Sequence, residues 1–301
     1  MTLTLALPEI PAFEIPDIPD PPLSRLASLF NEKARPLLIK LGRVFCDVAA
    51  SPATLLSAGN VVLASLTAEP VGIALTAAAA VATIGTKAYE SATGRPLGLP
   101  YYVLAAVNGL TAASVIYNGI HTQGLHHLLT SFDAEARRTL LSATAFTQWG
   151  VGHVIHGLHD AQKTTAKGAL DNAQTYYGVG DISAVQGNPC AAGLFALGLA
   201  KALRNTGGPP PEVTSPKTFV KKHLTAARLY GVGYFLGSAF SLATGNPAFA
   251  GAQALWGTGY LHFEPQLNGQ LIDDFKKAAA GKSAATAAAS PHPPFSPGPG
   301  S

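Results

Sequence analysis

The chain holds 301 residues, of which 48% are hydrophobic and only 12% charged, with a formal net charge of +3. Ordinary soluble domains carry roughly 25% charged residues, so the composition argues against a water-exposed globule. The small positive charge is scattered and not interleaved with aromatics, which excludes the electrostatic footprint of a nucleic-acid partner, and two cysteines, Cys46 and Cys190, with no CxxC spacing exclude a disulfide framework or a zinc finger.

The charge is segregated as well as sparse. Asp, Glu, Lys and Arg are missing from 48–68, 70–86, 96–132, 139–159, 182–200 and 229–263, about half of the chain. A soluble helical protein spreads charge along every amphipathic helix, whereas uncharged runs near ~20 residues match a hydrocarbon core ~30 Å thick. The competing reading is a soluble Ala-rich bundle, since Ala, Gly, Ser and Thr leave these runs only mildly apolar; their lengths favour spans. The expected fold is all-α, a polytopic integral membrane helix bundle built from short helix–turn–helix hairpins, with the lipid bilayer as its surroundings.

In chain order, residues 1–22 repeat Glu9-Ile10-Pro11, Glu14-Ile15-Pro16 and Asp17-Ile18-Pro19. This proline density favours an extended, disordered acidic tail, a solvated extension or a docking strand for a protein partner. The segment has no basic n-region and no long apolar h-region, so no cleavable signal peptide is expected. Residues 23–45 read as a basic amphipathic interfacial helix, with Leu26, Phe30, Leu37 and Leu41 on one stripe and Lys33, Arg35, Lys40 and Arg43 around it. Pro36 is expected to kink or split it.

A transmembrane domain is expected over 46–264. Its candidate spans are Val48–Ala68, Val71–Thr86, Pro100–Ile120, Thr139–His159, Ile182–Leu203, Leu229–Thr244 and Pro247–Phe263. Pro70, Pro189 and Pro247 suit the first turn of a helix. The pattern GNPxxAGxxAL occurs at 187–197 and again at 245–255, which suggests repeated hairpins of the kind found in transporters or recurrent small-residue packing. If all seven candidates cross, Lys and Arg divide almost evenly between the two sides. If Ile182–Leu203 does not cross, only Arg137 and Arg138 fall on the far side. The positive-inside rule then favours six spans over seven, with both termini cytoplasmic. Residues 265–301 are expected to form a cytoplasmic, largely disordered tail. An oligomer is compatible with this pattern.

Six histidines fall between 121 and 159: His121, His126 and His127, then His153, His156 and His159. The second group, HxxHxxH, lies within about 120° of one helix circumference. It has three readings: a polar helix end at the membrane surface, a substrate or proton path, or a metal or haem site. The path would use Gln148, His153, His156 and Asn188; a metal would use His153, His156 and His159. No cofactor is favoured. If 139–159 crosses the membrane, the two groups of histidines sit ~30 Å apart on opposite faces. Among other motifs, Gly178-Val179-Gly180-Asp181 is too short to interpret, and no GxSxG, P-loop or HExxH is present.

Three function classes follow: a carrier or channel for a small solute, a membrane-embedded enzyme using the histidines of 121–159, and a non-catalytic scaffold. A broken helix beside a polar cavity would favour the first, histidines converging with a carboxylate the second, a solid apolar bundle the third. The small-solute carrier is the expectation.

Overall fold

Helices account for all regular structure in the computed structural model, which describes Ser28 and residues 30–67, 70–131, 133–161, 169–184, 189–204 and 210–288. The all-α expectation holds: there is no strand among the described residues. A π-helical turn at Phe30–Ala34 leads into α1 (Arg35–Ala49), followed by α2 (Pro52–Thr67), α3 (Pro70–Thr93), α4 (Leu99–Gln123), α5 (Leu125–Thr130) and α6 (Ala134–Asp160). The second half contains α7 (Ala169–Ala184), α8 (Pro189–Arg204), α9 (Pro216–His223), α10 (Ala226–Ala243), α11 (Pro247–Leu261) and α12 (Pro265–Ala288).

The turn chemistry is local. Pro70, Pro189 and Pro247 each open a helix, as their missing N–H allows. Asp133 caps α6 by accepting from the backbone of Glu135 and Ala136. Pro36 falls in the first turn of α1 and splits nothing. The acidic tail and Asn188 lie outside the described residues. Two sequence expectations are corrected. The candidate Ile182–Leu203 is not one helix: Ile182 lies in the last turn of α7, which ends at Ala184, and Pro189 starts α8. The expected disordered tail is helical as far as Ala288, consistent with its Ala-rich sequence.

Eight helices close a ring in the order α2, α3, α4, α6, α7, α8, α10, α11 and back to α2. Neighbours are antiparallel, so all eight run from one end of the bundle to the other. The two halves repeat the same arrangement: α2 meets α4 beside α3, as α7 meets α10 beside α8. The repeat extends to single residues. A Cβ on Gly180 would meet the Trp149 ring and Ala145 O, and one on Gly59 would meet the Trp256 ring and Ala252 O. A Cβ on Gly152 would meet Tyr177 and Ala173 O, and one on Gly259 would meet Leu56 and Pro52 O. These contacts pair Trp149-Gly150-Val151-Gly152 on α6 with Trp256-Gly257-Thr258-Gly259 on α11, and Gly180-Asp181 on α7 with Gly59-Asn60 on α2. The GNPxxAGxxAL echo marks something else. It compares the starts of α8 and α11, which hold unequal places in the ring.

Polar side chains are buried beside an apolar and aromatic core, and large apolar side chains are exposed. Asn108, His153, His156, Asp181, Ser238, Ser241 and Gln253 are buried. Val81 (70% exposed), Leu110, Tyr117 (69%), Leu197, Leu236 and Leu242 face outward. By length and composition, Leu99–Gln123 qualifies alone as a membrane-crossing helix, and Phe30–Ala49 with Pro52–Leu66, bent by 58°, qualifies as a pair. One end of the bundle, here called the basic end, carries α1, α9, α12 and the Lys/Arg-bearing ends of α3, α8 and α10. Among the described residues, Arg137 and Arg138 are the Lys or Arg at the opposite end.

Helix α12 docks on α9 through a polar network. Asp274 Oδ2 accepts from Lys222 Nζ and from His223 Nε2, both at 2.7 Å. Arg228 donates to His223 Nδ1 at 2.9 Å. Arg228 has only protons to give, so His223 is neutral with its proton on Nε2. The Lys222 ammonium holds the Asp274 carboxyl below the ordinary carboxylate range, and burial holds His223 below its ordinary value. A lowered carboxyl stabilises the fold above its unfolded pKa of ~3.9 and loses that as pH falls through the folded value; a lowered histidine begins to oppose folding once pH falls below ~6.5. Acidification from about pH 7 to about pH 4 is therefore expected to undock α12. The check is hydrogen exchange of the 265–280 amides, corrected for intrinsic rate: it should rise on acidification and already be raised in Asp274→Asn. Flat protection across that range would contradict this.

Candidate functional site

The polar side chains around Asp181 come from the inner faces of α6, α7, α10 and α11. Helix spacing sets them out: Trp149, His153 and His156 follow one stripe of α6, and Tyr177 and Asp181 are one turn apart on α7. Asp181 is fully buried. Its Oδ1 accepts from Trp149 Nε1 at 2.9 Å, Tyr234 OH at 2.6 Å and Tyr260 OH at 3.2 Å. Its Oδ2 has no hydrogen-bond partner among the described residues. A buried carboxyl oxygen without a donor is costly, and such groups call for a functional account.

Asp181 forms part of the wall of a cavity of about 500 Å³ at the end opposite the basic one. Phe146 and Trp149 of α6, Phe195 of α8, Tyr234 of α10, and Phe249 and Trp256 of α11 give it an aromatic lining. Ser241, Thr244, Asn246 and Gln253 add neutral polar groups. The size falls within the ~300–1,000 Å³ range of small-molecule sites. The arrangement of π-faces around one carboxyl suits an organic cation, which ring quadrupoles and an acidic oxygen both attract.

At the basic end a polar cleft of about 960 Å³ is bounded by Lys87, Glu90, His156, His159, Asp160, His262 and Glu264. Glu90 has a structural duty there: Oε1 accepts the backbone N–H of Leu97 and Leu99 and fixes the α3–α4 turn. Between cleft and cavity, Tyr177 OH lies 2.9 Å from His153 Nδ1 and 3.4 Å from His156 Nδ1. Tyr101 stacks on His156 at 4.0 Å, and Phe263 lies parallel to Tyr177 at 5.5 Å.

The sequence-derived candidates are partly brought together. His153 and His156 are buried side by side and share Tyr177. His159 stands near the cleft, 3.7 Å from Asp160. No group of three His, Cys, Asp or Glu is placed to hold a metal ion among the described residues; the HxxHxxH set is split, because two rings turn toward Tyr177 and the third toward the cleft. Gln148 is half-buried and outside the cavity wall. His121, His126 and His127 lie at the end of the bundle opposite His153–His159, where His127 Nε2 meets Asp133 at 2.8 Å. The sequence reading missed Asp181, Tyr177, Tyr234 and Tyr260 as site residues. The available signal was the recurrence of WGxG at both tryptophans of the chain together with the matching pair Gly180-Asp181 and Gly59-Asn60. No family model, no curated protein and no solved structure matches the chain.

The site stands on close helix contact through glycine. In Gly180→Ala the new Cβ would lie 2.6 Å from the Trp149 ring and 3.1 Å from Ala145 O. Overpacking of this kind costs about 1–3 kcal/mol. Gly193→Ala on the exposed face of α8 meets nothing within 4 Å and should leave stability equal or raise it by about 0.4–1 kcal/mol. Thermal melting of the two variants in mild detergent checks this. Equal melting points would contradict the packing described.

Proposed function

We propose that the protein is a multi-pass membrane carrier or channel for a small solute, and that the solute binds as an organic cation in the cavity beside Asp181. The observation that carries this reading is the Asp181 carboxyl, buried in an aromatic cavity with one oxygen unpartnered among the described residues. A carboxyl held this way exists at a cost that a cationic ligand relieves.

The membrane reading is supported by the apolar outer surface, the polar axis and the charge asymmetry between the ends. Under it the eight ring helices, from 15 residues in α11 to 27 in α6, cross the bilayer. The shorter ones span ~23 Å and draw on local thinning and flanking residues. The basic end is cytoplasmic by the positive-inside rule, α1 lies in the interface on that side, and both described termini are on that side. An even number of crossings follows from α7, a ring helix that carries Asp171 and Asp181. The cavity then faces away from the cytoplasm. The histidines do not favour the enzyme reading, since His153 and His156 are turned onto Tyr177 and not into the cavity.

Both tryptophans of the chain line the cavity, so intrinsic fluorescence reports on it without background. The test is a fluorescence titration of purified protein with primary and quaternary ammonium ions, from methylammonium to phenethylammonium, against the matched alcohols. A saturable change is expected with at least one cation, with no saturable change for its alcohol. Asp181→Asn should weaken it at least tenfold, about 1.4 kcal/mol. No response to the whole series, an equal response to alcohols, or undiminished binding in Asp181→Asn would overturn the reading.

A further inference from the structure

We infer that the bundle also conducts protons between its two ends, through Asp160, His156, Tyr177, His153 and Tyr260 to Asp181. This inference rests on the membrane-embedded reading above. Asp160 and His156 border the cleft at the basic end, with His156 Nε2 3.8 Å from Asp160 Oδ1. Tyr177 OH links the two histidine Nδ1 atoms at 3.4 and 2.9 Å. His153 and Tyr260 both border a cavity of about 30 Å³ shared with Asn60, Asn108, Trp149 and Tyr234. That space exceeds the ~10–15 Å³ one water needs, and its polar walls supply partners. Tyr260 OH then reaches Asp181 Oδ1, which stands in the opposite cavity.

The chemistry of the centre is that of a relay. Tyr177 has one hydroxyl proton, so it donates to one histidine Nδ1 and accepts from the other, and the two rings hold opposite tautomers. A proton taken by His156 at Nε2 makes an imidazolium. Its Nδ1 proton passes to the Tyr177 oxygen while the Tyr177 proton passes to His153 Nδ1. His153 releases its Nε2 proton to the bridging water, which protonates the Tyr260 oxygen as Tyr260 gives its own proton to the Asp181 carboxylate. One proton enters and one arrives, and the two histidines are left with exchanged tautomers.

The internal repeat supplies an independent argument. In the equivalent contacts of the other half, Leu56 stands for Tyr177, Asn60 for Asp181 and Phe263 for His156. Tyr260 stands for His153, so the equivalent packing keeps one phenol but uses no carboxyl and no imidazole, and packing alone does not explain Asp181 and the two histidines. They run along one line from cleft to cavity.

The experiment is proton uptake into proteoliposomes of the full chain, driven by a potassium diffusion potential with valinomycin and read by an internal pH dye. Uptake above empty vesicles is expected. Tyr177→Phe, which keeps the ring and removes the hydroxyl, should lower it at least tenfold, and Asp160→Asn at the half-exposed mouth should lower it also. His126→Ala should leave it unchanged. Co-flotation with the vesicles establishes insertion of each variant. Wild-type uptake equal to empty vesicles, or Tyr177→Phe as conductive as wild type, overturns the relay. The two readings separate cleanly: ammonium binding retained without proton uptake rejects the relay alone, and proton uptake retained without ammonium binding rejects the cation site alone.

Discussion

Asp181 is the point on which the second half of the ring closes. Its carboxyl sits where water does not reach, and burying such a group is tolerable only with donors directed at it. Three arrive at one oxygen, from Trp149 on α6, Tyr234 on α10 and Tyr260 on α11. Four helices are therefore registered by a single acceptor. The stacked Tyr234 and Tyr260, and the tilted Trp149 and Trp256, fill the space around it. Asp181 also lines the aromatic-walled cavity, so one residue both ties four helices together and borders that space.

The ring places this group on its axis by repeating a four-helix unit. Tryptophan and glycine set the two long interfaces, α6 against α7 and α11 against α2, in the same register. Gly180 and Gly59 leave room for the Trp149 and Trp256 rings, and each indole N–H reaches a side-chain oxygen: Asp181 in one interface, Asn60 at 3.2 Å in the other. Where the halves agree, residues serve packing. Where they differ, the α6–α7 interface carries Asp181 and His156 and the α11–α2 interface carries the neutral Asn60 and Phe263. The functional reading of the protein rests on that departure from its own repeat.

Much of the architecture was legible in the sequence. Runs without charge marked α2, α3, α4, α6, α10 and α11, and turn prolines marked three helix starts. The missing helix, α7, was hidden for a physical reason. Asp171 and Asp181 interrupt its sequence, so a reading built on charge-free intervals placed a boundary where the structure buries a carboxyl. The expected segment Ile182–Leu203 accordingly joined the last turn of α7 to α8. The histidine spacing correctly indicated a shared helix face at His153 and His156. It could not show that Tyr177, from another helix, would take both rings. The Asp181 cavity needs residues from five helices spread along the chain, and only the WGxG recurrence hinted that α6 and α11 are counterparts.

The central proposal is that the outer face of the ring is solvated by lipid. The most direct test is electron paramagnetic resonance of nitroxide labels at Val81→Cys, Leu110→Cys and Leu236→Cys in bilayers. Relaxation by apolar oxygen and by a water-soluble nickel chelate is compared at each site. All three labels should be open to oxygen and shielded from nickel, unlike a label at His126→Cys beyond the helix ends. Nickel access at the three ring positions equal to that at 126 would contradict the account.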